Sequence, residues 1–139
     1  MPGRRVLGRR GRPVPSEALG ILLISGDHER AHYAFVLASG AAAIGRRVVL
    51  FATNQGCRAL LADWSTLAGA GREAEVVARG VGGLDELRGA AAELGVRLIA
   101  CEAGLRMAGL DPAALAPGVE VGGVVTFLEA AAAGQLISL

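Results

Sequence analysis

Two cysteines and two histidines supply this chain's options for nucleophilic, redox or metal chemistry. Cys101 ends the apolar run Val96–Cys101 (VRLIAC) and opens into Glu102-Ala103-Gly104. An interior cysteine behaves as a small hydrophobe. At the carboxyl end of a parallel strand, where ligands and reactive groups gather, a thiol sits on the working rim instead. The chain has no lysine, and the adjacent Glu102 opposes ionisation of the thiol. Activation therefore falls to backbone N–H groups of the 102–107 segment, to Arg106, or to a residue of another subunit. Cys57 is either a second rim thiol or a packing residue at a helix start, and the packing reading is favoured because no C-x-x-C pair surrounds it. Two cysteines make no disulfide framework, and reduced thiols are expected.

His28 and His32 are four residues apart and share one helical face, which is metal-ligand spacing. Two solvated histidines flanking Tyr33 is the simpler reading, and neither a metal nor a cofactor is expected. His28 is better placed as a proton donor or acceptor near Cys101. Ser25-Gly26-Asp27 fits neither G-x-x-x-x-G-K nor G-x-G-x-x-G, and no G-x-S-x-G elbow is present.

The elements that must position these groups alternate along the chain. Leu19–Ser25 (LGILLIS) is an uninterrupted apolar run, as in a strand covered on both faces. Asp27 caps a helix over 28–44, which Gly45 stops. Arg47–Thr53 is the second strand, Asn54-Gln55-Gly56 a loop, and Cys57–Trp64 the start of a short helix. Residues 65–80 read as an irregular crossover, with Glu75–Ala78 (EVVA) as a short extra strand. Leu84, Leu87, Ala91 and Leu94 recur at helical spacing before Gly95. Val96–Cys101 is the third strand. Asp111-Pro112 starts a short helix closed by Pro117-Gly118. Val121–Ala133 reads as a last helix and Gln135–Leu139 as a terminal strand.

This order predicts an α/β fold, a single three-layer α/β/α domain with a mostly parallel sheet of four to five strands. Its carboxyl rim gathers Ser25, Gly26, Asp27 and His28, then Thr53, Asn54, Gln55 and Gly56, then Cys101, Glu102, Ala103, Gly104 and Met107.

The 139 residues suffice for one domain. Hydrophobic residues make up 53% and aromatic residues 4%, so the core is built from Ala, Val, Leu and Ile. No apolar run approaches the ~20 residues that span a bilayer, so no membrane partner is expected. Net charge is +1, but Arg4, Arg5, Arg9, Arg10 and Arg12 precede every acid. Without them nine basic residues face 13 acidic ones, which argues against nucleic acid. Residues 1–17 read as a disordered arginine-rich arm and 18–139 as the domain.

ILLISGD, ASGAAAIG, VVLFATNQG and above all VRLIACEAGLRMAGLDPAALAPGVEVGGVVTFLEAA resemble the DsrE/DsrF/DsrH-like sulfur-relay family. The likeness covers roughly residues 19–139. It implies a DsrE-like, Rossmann/flavodoxin-like fold and assembly into homo- or hetero-oligomers, here expected as a homo-oligomer (dimer, trimer or hexamer). Related proteins, including the TusD branch, carry sulfur as a persulfide on the cysteine matching Cys101, with a methionine close to Met107. The expected function is that of a cytoplasmic sulfur-relay protein, a persulfide carrier or sulfurtransferase. Its partners would be donor and acceptor proteins or small persulfides. Alternatives are a non-catalytic small-molecule- or partner-binding subunit, and a redox sensor based on Cys101.

Overall fold

The computed structural model describes residues 17–139; apart from Glu17, the arginine-rich arm lies outside the described residues. Five strands form one sheet: β1 (Ala18–Leu23), β2 (Arg47–Ala52), β3 (Arg97–Cys101), β4 (Glu120–Gly122) and β5 (Gln135–Ser138). All neighbours are parallel, in the order β4-β3-β2-β1-β5. The helices are α1 (His28–Ala43), α2 (Arg72–Ala78), α3 (Leu84–Glu93), α4 (Glu102–Ala108) and α5 (Val124–Ala130). Short 3-10 segments occupy Asn54–Leu60 and Pro112–Ala114.

Strand alternation divides the core in two. Leu19, Ile21 and Leu23 of β1, Val48, Leu50 and Ala52 of β2, and Ala100 of β3 face α1 and α3. Val49, Phe51 and Ile99 face the other way, against Phe127 and Ala131. Phe51 and Phe127 stack with ring centroids 4.9 Å apart. Gly20 admits α5 to the sheet, because a Cβ there would lie 2.7 Å from that of Ala131. The second face is thinly covered: Val124, Val125 and Leu128 form an exposed apolar stripe on the outer side of α5.

The start and stop signals of α1 act as their residue types require. The Asp27 carboxylate accepts the Glu29 amide at 3.1 Å, and Gly45 turns the chain at φ 92°. Asp111 likewise caps the Pro112 segment, accepting the Ala113 amide at 2.9 Å.

Three local expectations are corrected. EVVA lies in α2, not in a strand, since acids at Glu73 and Glu75 suit a helix's first turn. Glu102-Ala103-Gly104 is the opening turn of α4, not a loop. The helix expected over Val121–Ala133 is divided into β4 and α5. Glu120 pairs through both carboxylate oxygens with Arg97 at 2.7 and 3.0 Å, which draws β4 onto β3.

Candidate functional site

Cys101 is the last residue of β3 and the cap residue of α4. Its sulfur accepts the Gly104 amide N–H at 3.3 Å, so one of the helix's unpaired donors is aimed at it. The side chain is half-buried and packs against the Phe51–Phe127 cluster, on the α5 face of the sheet.

Glycine at 104 is a steric requirement. A Cβ there would collide with the Asn54 backbone nitrogen and the Thr53 hydroxyl. This contact brings Thr53 and Asn54 against α4, beside the thiol's donor. Gly56 is equally constrained, because a Cβ would collide with the Leu23 carbonyl. Glu102 and Arg106 pair across one turn of α4 at 2.9 Å, so the arginine offsets the acid beside Cys101. Met107 is exposed on the same helix.

Cys57 is fully buried in the cluster on the α1 and α3 face, with its thiol directed at the Ala52 carbonyl at 3.4 Å. Burial, and then the charge of a Cys101 thiolate, push its pKa up to about 11. Cys57 is a protonated thiol at neutral pH. Cys57 belongs to the cluster on one face and Cys101 packs against the other, yet the thiolate and the backbone N–H of Cys101 both act on Cys57, so the two residues are close neighbours.

The rim residues expected to act together are divided into three groups. Thr53, Asn54 and Gly104 adjoin Cys101. Ser25, Gly26, Asp27 and Gln55 line a separate cavity of about 380 Å³ with Arg58, Thr66 and Ala68. His28 joins neither group. It is buried, and its Nε2–H donates to Glu73 Oε1 at 2.8 Å. Its ring also lies 6.0 Å from that of His32 and 5.7 Å from that of Trp64. The proton-partner role expected of His28 toward Cys101 is therefore not met, and the histidines are not a solvated pair. His32 Nε2–H donates to the Gly82 carbonyl at 2.8 Å. Among the described residues no three His, Cys, Asp or Glu side chains converge to hold a metal ion.

Glu73 and Arg58 were not legible as site residues. Glu73 also accepts the Leu84 amide at 2.9 Å and the Asp85 amide at 3.4 Å. Burial opposes its charge, but the Leu84 amide, the His28 ring and the Asp85 amide outweigh it and hold the carboxyl below its ordinary value. The only sequence signal for Arg58 is its place three residues after Gln55, whose Oε1 accepts Arg58 Nε–H at 2.6 Å.

A five-stranded parallel sheet between helix layers, with a half-buried cysteine capping a helix at one strand's carboxyl end, defines an α/β protein. The chain belongs to the DsrE/DsrF/DrsH-like family, whose pattern matches residues 65–137, just over half its length. Two solved structures are similar in fold. The ychN protein from E. coli is 13% identical, with a TM-score of 0.61, covering 90% of this chain and 100% of its own. The protein of unknown function MTH1491 from Methanobacterium thermoautotrophicum is 20% identical, with a TM-score of 0.57, covering 89% and 100%. No curated protein matches the chain. Among the described residues no helix is long and apolar enough to cross a membrane.

Proposed function

We propose that this chain is a cytoplasmic sulfur-relay protein that carries sulfane sulfur on Cys101. The observation that supports this most directly is the Gly104 N–H bonded to a half-buried strand-end sulfur in a member of this family. In the first step the Cys101 thiolate attacks the outer sulfur of a donor persulfide R–S–SH. A new S–S bond forms, the donor's S–S bond breaks, and R–S⁻ leaves and takes up the proton, as R–SH. An acceptor thiolate then attacks the outer sulfur of Cys101–S–SH and releases the Cys101 thiolate. Both steps exchange one S–S bond for another, so neither needs an external oxidant.

A second copy of the chain is the partner that fits the α5 stripe of Val124, Val125 and Leu128. That stripe lies on the same face of the sheet as Cys101, and apolar side chains at such density favour burial. Donor and acceptor would approach at the open end of β3.

Incubation with a sulfane donor followed by mass spectrometry should add about +32 Da, one sulfur atom, to the peptide holding Cys101. The addition should be absent from Cys101→Ser and present in Cys57→Ser. Labelling of Cys57 alone, or of neither cysteine, overturns the reading.

A further inference from the structure

We infer that the cavity outside the carboxyl ends of β1 and β2 is a second binding site, for a small ligand with an ammonium–carboxylate head group. Strands β1 to β4 are laid down in one direction and β5 is added on the other side of β1. The reversal crevice itself lies between β1 and β5, but the loops leaving β1 and β2 share the sheet's carboxyl end, the side on which open parallel sheets take their ligands. Ser25, Gly26 and Asp27 leave β1 at this point and line the cavity of about 380 Å³. Cys101 is not among the lining residues, so the inference stands apart from the sulfur-relay reading.

The walls present complementary charges. Arg58 uses one of its five N–H groups on Gln55, at 2.6 Å, which orients the guanidinium plane. No carboxylate among the described residues forms an ion pair with it. The remaining donors match a carboxylate in the two-point geometry that arginine favours. Asp27 gives one oxygen, Oδ2, to the Glu29 amide; Oδ1 accepts no hydrogen bond among the described residues. The Ser25 hydroxyl oxygen accepts the Asp27 amide at 3.1 Å, leaving its O–H to donate. A simple anion would meet the Asp27 carboxylate, and a simple cation would meet Arg58. A ligand with both charges on one carbon satisfies both walls. The volume, near the lower end for ligand pockets, suits a molecule of amino-acid size.

Free α-amino acids and the γ-glutamyl end of glutathione share this head group. The full chain, labelled with nitrogen-15, is titrated with L-alanine, glutathione, propionate and ethylamine, following the amides of Gly26, Gln55 and Arg58. At least one of the first two should shift these amides, with propionate and ethylamine weaker by about tenfold or more. Arg58→Gln should weaken binding by a similar factor. Asp27→Asn, which preserves the helix cap, should let propionate bind as well as L-alanine. Cys101→Ser should bind unchanged. Propionate binding the wild-type chain as tightly as L-alanine and glutathione overturns the proposal. So does the absence of shifts at about 10 mM of either, where a millimolar ligand is bound. Both of those outcomes are read on wild-type protein, whether or not a variant folds.

Discussion

Gly104 donates its amide to the Cys101 sulfur across 3.3 Å while leaving no room for a side chain of its own. The same residue thus joins α4 to the Thr53-Asn54 corner and fixes a donor on the thiol. A glycine within a helix costs about 1 kcal/mol relative to alanine, so a close approach has to justify it.

Gly104→Ala should therefore destabilise the fold despite alanine's better helix propensity. Its Cβ meets backbone atoms, which cannot rotate away, and overpacking of this kind costs about 1–3 kcal/mol. Chemical denaturation should show the loss, and alkylation of Cys101 at neutral pH should slow as the amide moves off the sulfur. A Gly104→Ala chain as stable as the parent, with unchanged alkylation, would contradict the assigned contact.

The two thiols should differ in reactivity. With its pKa pushed up to about 11, Cys57 is ionised in roughly one molecule in ten thousand at pH 7, and it is fully buried. Iodoacetamide should label Cys101 in the native chain and Cys57 only after denaturation. Native labelling of Cys57 at a comparable rate would show that the segment Asn54–Leu60 opens.

The His28–Glu73 pair should give the fold an acid limit. Glu73 is held below its ordinary value of 4.5. Its contribution is complete above the unfolded-state pKa and is lost as pH falls through the lower folded-state value. Glu73→Gln should cost about 1–3 kcal/mol at neutral pH, where it leaves His28 and two amides poorly matched. The variant's stability should also fall less than the parent's below about pH 4.5. Parallel stability curves for the two proteins would remove Glu73 from this role.

Val125 and Leu128 are exposed at 64% and 50%, so acids there should change the fold's stability by no more than about 0.5 kcal/mol. If α5 meets a second copy, Val125→Glu with Leu128→Glu should reduce the sedimenting species to a monomer that stays folded, with a melting temperature no longer dependent on protein concentration. A wild-type chain that sediments only as monomer at micromolar concentration would rule out this interface.

Much of this fold is carried by local pattern. Apolar runs at strand length mark β1, β2 and β3, while Asp27 and Gly45 bound α1 through their own backbone and side-chain preferences. Cys101 stands out for the same reason, at the point where one such run stops. The residues misread are those whose state depends on distant partners. Val121 and Gly122 become strand because Arg97 holds the adjoining Glu120, 23 residues away from it, against β3. Glu73 lies in a helix pinned by His28, 45 residues away. Small side chains sharpen the difficulty, since Val and Ala runs suit either period until a neighbour selects one.

The rim shows the same division. Residue order alone placed Ser25–His28, Thr53–Gly56 and Cys101–Gly104 at one edge of one sheet, because parallel strands must all end on the same side. Sequence spacing does not encode which of them touch. Strand alternation puts Cys101 on the α5 face while α1 carries His28 to the opposite one, and a half-buried carboxylate supplied from α2 takes the histidine. Arg58 became visible as a cavity wall only once the chain after β2 folded back beside β1. Those assignments rest on packing between segments far apart in the chain, where burial and charge pairing outweigh local preference.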